Sequence, residues 1–396
     1  MGRIGIYGGT FNPPHAGHVE AARQAIARLK LDQLLLIPAR HPPHKDLPDY
    51  APTAQERLEL VRLAVRDIPK AQVVDLEVSR EGKSYTVDTL QTLRQSYEDD
   101  QLFLLMGTDM FLSFAHWYKP DEICRCATIV VMLREKEDLK IRELLEEKAK
   151  EVREKLSGEV LFLENDILPM SSTDVRRMLT FHAQKDMVPE AVMERIRERG
   201  YYGVHQSLKG LSMEQLEQVV VALLNPNRVA HVLGCRDTAV KLAEKYGVDG
   251  TDAARAALLH DITKALPYPL QLQVCEVYRI PSDRLDVQSP KTLHATTGAW
   301  VAKEIFGENK AVVDAIDSHT SGRADMNTLQ KIIYIADYME PNRKFPGVEK
   351  LRETVAASLD EGVLMGLEMT VELLRQQGRV VSQNSLDAIR WLKENK

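Results

Sequence analysis

The chain has 396 residues, 44% hydrophobic and 28% charged, with a formal net charge of −6. At ~150 residues per domain this length predicts two or three domains, and the composition excludes disordered, collagen-like and coiled-coil chains. The acidic balance argues against a nucleic-acid partner held by bulk electrostatics, no apolar run reaches the ~18 residues that cross a bilayer, and four cysteines (Cys124, Cys126, Cys235, Cys275) are too few for a disulfide framework.

The opening MGRIGIYGGTF reads as a strand entering a glycine turn rather than a secretory leader, so the expected location is cytoplasmic. Short apolar runs at 3–7, 33–39, 73–79, 101–107, 128–134 and 159–164 have the length of buried parallel strands. Helical patterns lie between them. One runs from about residue 18 to 30, and Thr53 with Glu56 makes a capping box ahead of RLELVRLAV. The highly charged stretch 135–157 predicts a solvated helix. Alternating strands and helices predict an α/β layer whose ligands sit at the carboxyl ends of the strands. The seam falls in RGYYGVHQSLKGLS (199–212), and Ser212 with Gln215 opens a helical region without a convincing strand. The expected organisation is an α/β domain over 1–203, a linker over 204–211 and an all-α domain over 212–396.

The first strand runs straight into Gly8-Gly9-Thr10-Phe11-Asn12-Pro13-Pro14-His15-Ala16-Gly17-His18. Glycines there let backbone N–H groups approach a phosphate, and the helix that follows adds partial positive charge. His15 and His18 share one side of the helix entrance, where imidazoles suit charge building on a phosphoryl centre. No Walker-type loop and no positioned Ser or Cys nucleophile is present, so the chemistry expected is direct in-line displacement.

This run resembles that of the HIGH-type nucleotidyltransferases, and over much of 1–203 that of the bacterial nicotinate-nucleotide adenylyltransferases. His41-Pro42-Pro43-His44-Lys45, Thr53 to Arg57, Tyr85-Thr86-Val87-Asp88-Thr89-Leu90, Met106-Gly107-Thr108-Asp109 with Trp117, and Ser171-Ser172-Thr173-Asp174-Val175-Arg176 resemble further elements of that family. Cytidylyltransferases carry a different element where this chain has SSTDVR. The resemblance implies a Rossmann-like fold and transfer of adenylate from ATP, with Mg2+, to nicotinate mononucleotide. It also implies site residues: Gly8, Gly9, Thr10, Phe11, His15, His18, Gly107, Asp109, Ser171, Ser172, Thr173 and Arg176 for ATP, Thr86 and Trp117 for nicotinate, and Lys45 near the reacting phosphates. The residues themselves leave nicotinate against nicotinamide open, and Trp117 also reads as a core aromatic.

The helical half contains only four histidines after residue 206: His231, His260, His294 and His319. With Asp261 and Asp337 they form a donor set that suits first-row transition metals. The ordered runs NRVAH, LLHDITK, LHA, SHTSG and YIADYMEPNR resemble the HD superfamily of metal phosphohydrolases, in particular its symmetrical diadenosine tetraphosphate hydrolases. The resemblance implies that His231, His260, Asp261 and Asp337 hold a metal, that His294 and His319 complete a second position, and that Lys264 contacts phosphate. One or two ions are expected, iron, manganese and nickel all suiting the ligands. Arg228 and Arg343 are further candidates for phosphate. A nucleotide-sensing module and a hydrolase of another nucleotide remain alternatives for this half, and a homo-oligomer stays open.

Overall fold

The computed structural model describes residues 1–40, 50–82, 84–134, 139–165, 170–281 and 290–395. The chain divides into two compact units, one of residues 1–180 and 184–205, the other of residues 181–183 and 206–396.

The first unit is built on six parallel strands in the order β3-β2-β1-β4-β5-β6. They are β1 (Arg3–Gly9), β2 (Gln33–Pro38), β3 (Ala71–Val73), β4 (Gln101–Gly107), β5 (Thr128–Arg134) and β6 (Val160–Asn165). Ile6 registers with Leu35 on one side and Leu104 on the other, so three nearly continuous apolar runs pair at the centre of the sheet. Both faces of these strands are buried, as expected of a parallel sheet covered by helices. One strand departs from the expected 73–79. The edge strand covers Ala71–Val73 and stops, because a turn closes from Ser79 N–H to the Asp75 carbonyl and Glu77 turns inward to accept from Thr89 Oγ1 at 2.8 Å.

Helix Ala54–Val65 carries the expected Thr53–Glu56 capping box. The charged stretch forms helix Leu139–Leu156, which buries Leu145, Ala149 and Val152 at helical spacing and leaves its charges outside.

The second unit is helical, and no strand occurs among its described residues. Helix Met213–Leu223 opens with the Ser212–Gln215 capping box. Pro226–Tyr246 has Pro at its start and ends on Gly247 at φ 65, a left-handed residue that suits glycine. Asp249 caps Gly250–Leu259, whose alanines (Ala253, Ala254, Ala256, Ala257) allow close packing. Helices Leu293–Val301, Lys310–Ser318 and Thr328–Met339 complete the inner set. Among the described residues no helix is long and apolar enough to cross a membrane.

Candidate functional site

In the first unit, the crossovers from β1 and β4 run to opposite sides of the sheet, which opens a crevice at their carboxyl ends. A Cβ at Gly8 or at Gly107 would meet nothing within 4 Å, so this edge has room. Phe11 turns the chain with φ 49 and buries its ring, which meets His18 edge-on with centroids 5.0 Å apart. Helix Ala16–Arg28 starts at His15, whose main-chain N–H donates to His18 Nδ1 at 3.2 Å. The two imidazoles lie 3.7 Å apart, centroid to centroid, at the helix N-terminus, whose dipole favours an anion.

A second helix end converges on the same turn. Helix Ser172–Thr180 is capped by Ser171, which exchanges hydrogen bonds with Asp174. Ser172 Oγ donates to the Pro13 carbonyl at 3.1 Å, and Arg176 Nη1 donates to the Asn12 carbonyl at 2.6 Å. Arg176 also donates to Thr173 Oγ1, and Tyr202 donates its hydroxyl proton to Asn12 Oδ1 at 2.7 Å. Burial draws the Arg176 guanidinium below its ordinary value. The predicted Gly8, Gly9, Thr10, Phe11, His15, His18, Ser171, Ser172, Thr173 and Arg176 are thus assembled around one turn. Asp109 is exposed on the short helix after β4, and Thr86 begins helix Thr86–Ser96. Trp117 packs edge-on against Phe114 at the border of the sheet's core. Lys45, like His41 and His44, lies outside the described residues.

Arg57, at the end of the Thr53–Arg57 element, carries a positioning role that its sequence context does not reveal. Fully buried, it donates to the carbonyls of Thr10 (2.6 Å), Ala39 (2.7 Å) and Arg40 (3.1 Å), tying the glycine turn to the end of β2. The available signal is its place on the apolar stripe with Leu60, Val61 and Ala64. Replacement by Ala leaves these carbonyls without their donor, and a loss of ~3 kcal/mol in unfolding free energy is expected, measured by denaturant titration.

In the second unit, all six predicted ligands meet from five helices or their ends, His260 and Asp261 sharing the end of Gly250–Leu259. Each imidazole engages its Nδ1 with an acceptor. His260 faces the Ala257 carbonyl at 2.6 Å, His294 that of Lys291 at 2.9 Å, and His319 that of Ile316 at 2.7 Å. His231 instead faces Glu340 Oε1 at 3.1 Å. Acceptor oxygens require the proton on Nδ1, so His231 and His260 turn a bare Nε2 inward, while the Nε2 atoms of His294 and His319 lie 3.2 Å from each other. Burial drives His260 and His294 well below the ordinary imidazole value and His319 down to about 4, which keeps these rings neutral.

Asp261 joins the two halves of the cluster. Its Oδ2 lies 3.8 Å from His231 Nε2 and 3.4 Å from His260 Nε2, while its Oδ1 lies 3.3 Å from His294 and 3.7 Å from His319. Asp337 Oδ1 is 3.1 Å from His231 Nε2 and 3.9 Å from His260 Nε2. Donor atoms of His231, His260 and Asp337 lie within 4.8 Å of one another, and so do those of His260, Asp261 and His319. His231 Nε2 and His260 Nε2 are buried without a hydrogen-bond partner. Lone pairs crowded without protons are costly to bury, and a cation resolves the cost. The donor set therefore fits one or two transition-metal ions. Arg228 pairs with Asp261, Lys264 Nζ lies 3.1 Å from Asp261 Oδ1, and Arg343 donates to Asp337 Oδ1 at 2.6 Å. Burial lowers Lys264 to about 8.

Glu340 was missed as a site residue, although it stands one turn after Asp337. It is 1% exposed, accepts from the Asn342 main chain and amide at 2.7 and 2.9 Å, and leaves no room for a Cβ on Gly234, which would sit 2.5 Å from its Oε2. Outer partners of metal-binding histidines set their orientation, and their loss costs ~10–100-fold in metal affinity. That loss is expected for Glu340→Ala, read as metal retained against a competing chelator.

A cytidylyltransferase-like family model matches residues 6–178, and an HD domain model matches residues 228–342. The chain is 37% identical over 209 residues to the probable nicotinate-nucleotide adenylyltransferase of Pseudomonas syringae pv. tomato, covering 50% of this chain and 93% of that one. It is 33% identical over 183 residues to the symmetrical bis(5'-nucleosyl)-tetraphosphatase of Bacillus subtilis, covering 46% of this chain and 98% of that one. Among solved structures, a predicted HD superfamily hydrolase involved in NAD metabolism from Clostridium acetobutylicum is 33% identical, with a TM-score of 0.44, covering 47% of this chain and 99% of that one. The chain therefore belongs, over its first half, to the nicotinate-nucleotide adenylyltransferase family and, over its second, to the HD-domain family of symmetrical bis(5'-nucleosyl)-tetraphosphatases.

Proposed function

We propose that the chain is a bifunctional enzyme, with an adenylyltransferase domain over 1–203, a linker over 204–211 and a phosphohydrolase domain over 212–396. The first domain joins ATP and nicotinate mononucleotide to give deamido-NAD and pyrophosphate. The second hydrolyses diadenosine tetraphosphate symmetrically to two ADP.

In the first reaction, a phosphate oxygen of nicotinate mononucleotide bonds to the α-phosphorus of ATP as the bond to the β-phosphate oxygen breaks. Mg2+ on the triphosphate supplies charge neutralisation. His15, His18 and Arg176, with the helix ends behind Ser171, Ser172 and Thr173, hold the triphosphate, and His18 faces the charge that develops on the phosphoryl oxygens. Gly8, Gly9, Thr10 and Phe11 shape the backbone around it. Gly107 and Asp109 hold the adenosine, Thr86 and Trp117 the nicotinate, and Lys45 adds charge. What supports this reading is the convergence of two helix ends, two imidazoles and one guanidinium on a crevice with open glycines.

In the second domain, His231, His260, Asp261 and Asp337 would hold one metal ion, and His294 and His319 with Asp261 a second. Such ions activate water and neutralise phosphate oxygens when bound. The protein's own part is to present four oriented imidazoles and keep the carboxylates ionised beside Lys264, Arg228 and Arg343. Once these cations and the ions balance the carboxylates, a polyphosphate can approach. The single observation that carries the reading is the convergence of the His231, His260 and Asp337 donor atoms within 4.8 Å of one another, with both Nε2 atoms buried and without a hydrogen-bond partner.

Incubation of the full chain with ATP, Mg2+ and either nicotinate or nicotinamide mononucleotide tests the first activity. Deamido-NAD with stoichiometric pyrophosphate is expected, and a clear preference for the amide substrate would sink the assignment.

A further inference from the structure

The turn that follows β1 is gripped from several parts of the first unit. Arg57 of helix Ala54–Val65 donates to the Thr10 carbonyl, while Arg176 and Ser172 of helix Ser172–Thr180 donate to the carbonyls of Asn12 and Pro13. Each bond occupies a carbonyl oxygen that would otherwise repel an anion at the turn.

A further grip comes from Tyr202, and it takes the side chain of Asn12. Asn12 is 3% exposed, and its Oδ1 accepts the Tyr202 hydroxyl proton at 2.7 Å. Burial pushes the Tyr202 phenol well above its ordinary value, against the pull of Arg176 and Arg57, so the hydroxyl keeps its proton and stays a donor.

The backbone that delivers this hydroxyl is unusual for an aromatic residue. Tyr202 has φ 59 and ψ 21, in the left-handed region, between Gly200 at φ 65 and Gly203 at φ 68. A glycine would adopt this conformation without strain, yet a tyrosine occupies it. Its main-chain N–H donates to the Tyr50 carbonyl at 2.9 Å, and the neighbouring Tyr201 hydrogen-bonds Glu56 of the capping box on helix Ala54–Val65. Strained backbone of this kind persists where surrounding contacts over-determine it, and it concentrates at functional sites. What the strain secures here is one hydroxyl on the anion turn.

We propose that Tyr202 is a positioning residue for ATP: acting through Asn12, it fixes the turn on which Arg176, His15 and His18 meet the triphosphate. The inference rests on the reading of the first unit as an adenylyltransferase. Tyr202 touches no reacting atom. Its loss misplaces the groups that do, and small misplacements are costly in rate.

The test compares Tyr202→Phe, Asn12→Ala and the double variant in the full chain. Tyr202→Phe keeps the ring and removes only the donor. Each single variant should lose ~5–10-fold in kcat/KM for ATP, the scale of one hydrogen bond, with KM for nicotinate mononucleotide and the thermal midpoint unchanged. The double variant should fall no further than the singles, because both remove the same bond. Asn12→Ala reads that bond should Tyr202→Phe fail to fold. Kinetics equal to the parent's in both singles, losses that multiply in the double variant, or a fall shared by both substrates together with a lowered midpoint would overturn the proposal. Calorimetric titration with Mg2+ and a non-hydrolysable ATP analogue separates it from the reading it rests on. A parent chain that makes no deamido-NAD, yet binds the analogue more tightly than Tyr202→Phe does, would retain the positioning role and remove the adenylyltransferase reading. Absence of binding as well would overturn both.

Discussion

His260→Ala should release the metal and abolish turnover in the C-terminal domain while leaving deamido-NAD synthesis intact. His260 belongs to both overlapping donor groups and is completely buried, so its loss opens each of them. The fall in hydrolysis should exceed the ~10–100-fold that accompanies loss of an outer partner such as Glu340. Metal analysis and product chromatography on the same preparation check both halves of the expectation. A sensor that never turns over substrate would keep its nucleotide affinity in this variant, so retained ADP binding together with absent parental turnover would point to that alternative.

The second large effect is expected at His18. The ring lies at the helix N-terminus, against His15 and Phe11, where the proposed triphosphate sits. Removing one preorganised donor to a developing oxyanion costs ~10²–10³-fold in kcat, and His18→Ala should fall in that range with a smaller change in KM for nicotinate mononucleotide. Equal losses in binding and turnover would mean that His18 acts in the ground state alone. An unchanged thermal unfolding midpoint of the variant provides the control for its folding.

Much of this was legible from local pattern. Parallel strands buried on both faces appear as short apolar runs, and five of the six stand within two residues of where those runs place them. The capping boxes at Thr53 and Ser212 are local by nature and could be read directly. The edge strand was not, because VVDLEVS alternates like a strand while its fate depends on Glu77 meeting Thr89, twelve residues on. The same holds for the sites. His231, His260, Asp261, His294, His319 and Asp337 carry recognisable chemistry, whereas Arg57 and Glu340 work through carbonyls and a ring that are distant in sequence.

One chain is proposed to carry two nucleotide chemistries, of which the second depends on the buried imidazole and carboxylate cluster. The most direct measurement is incubation of the purified full chain with diadenosine tetraphosphate in iron, manganese or nickel, followed by product chromatography. ADP is expected as the sole product, lost in His260→Ala. No turnover with any of the three metals, or ATP and AMP as the main products of the parent chain, would contradict it.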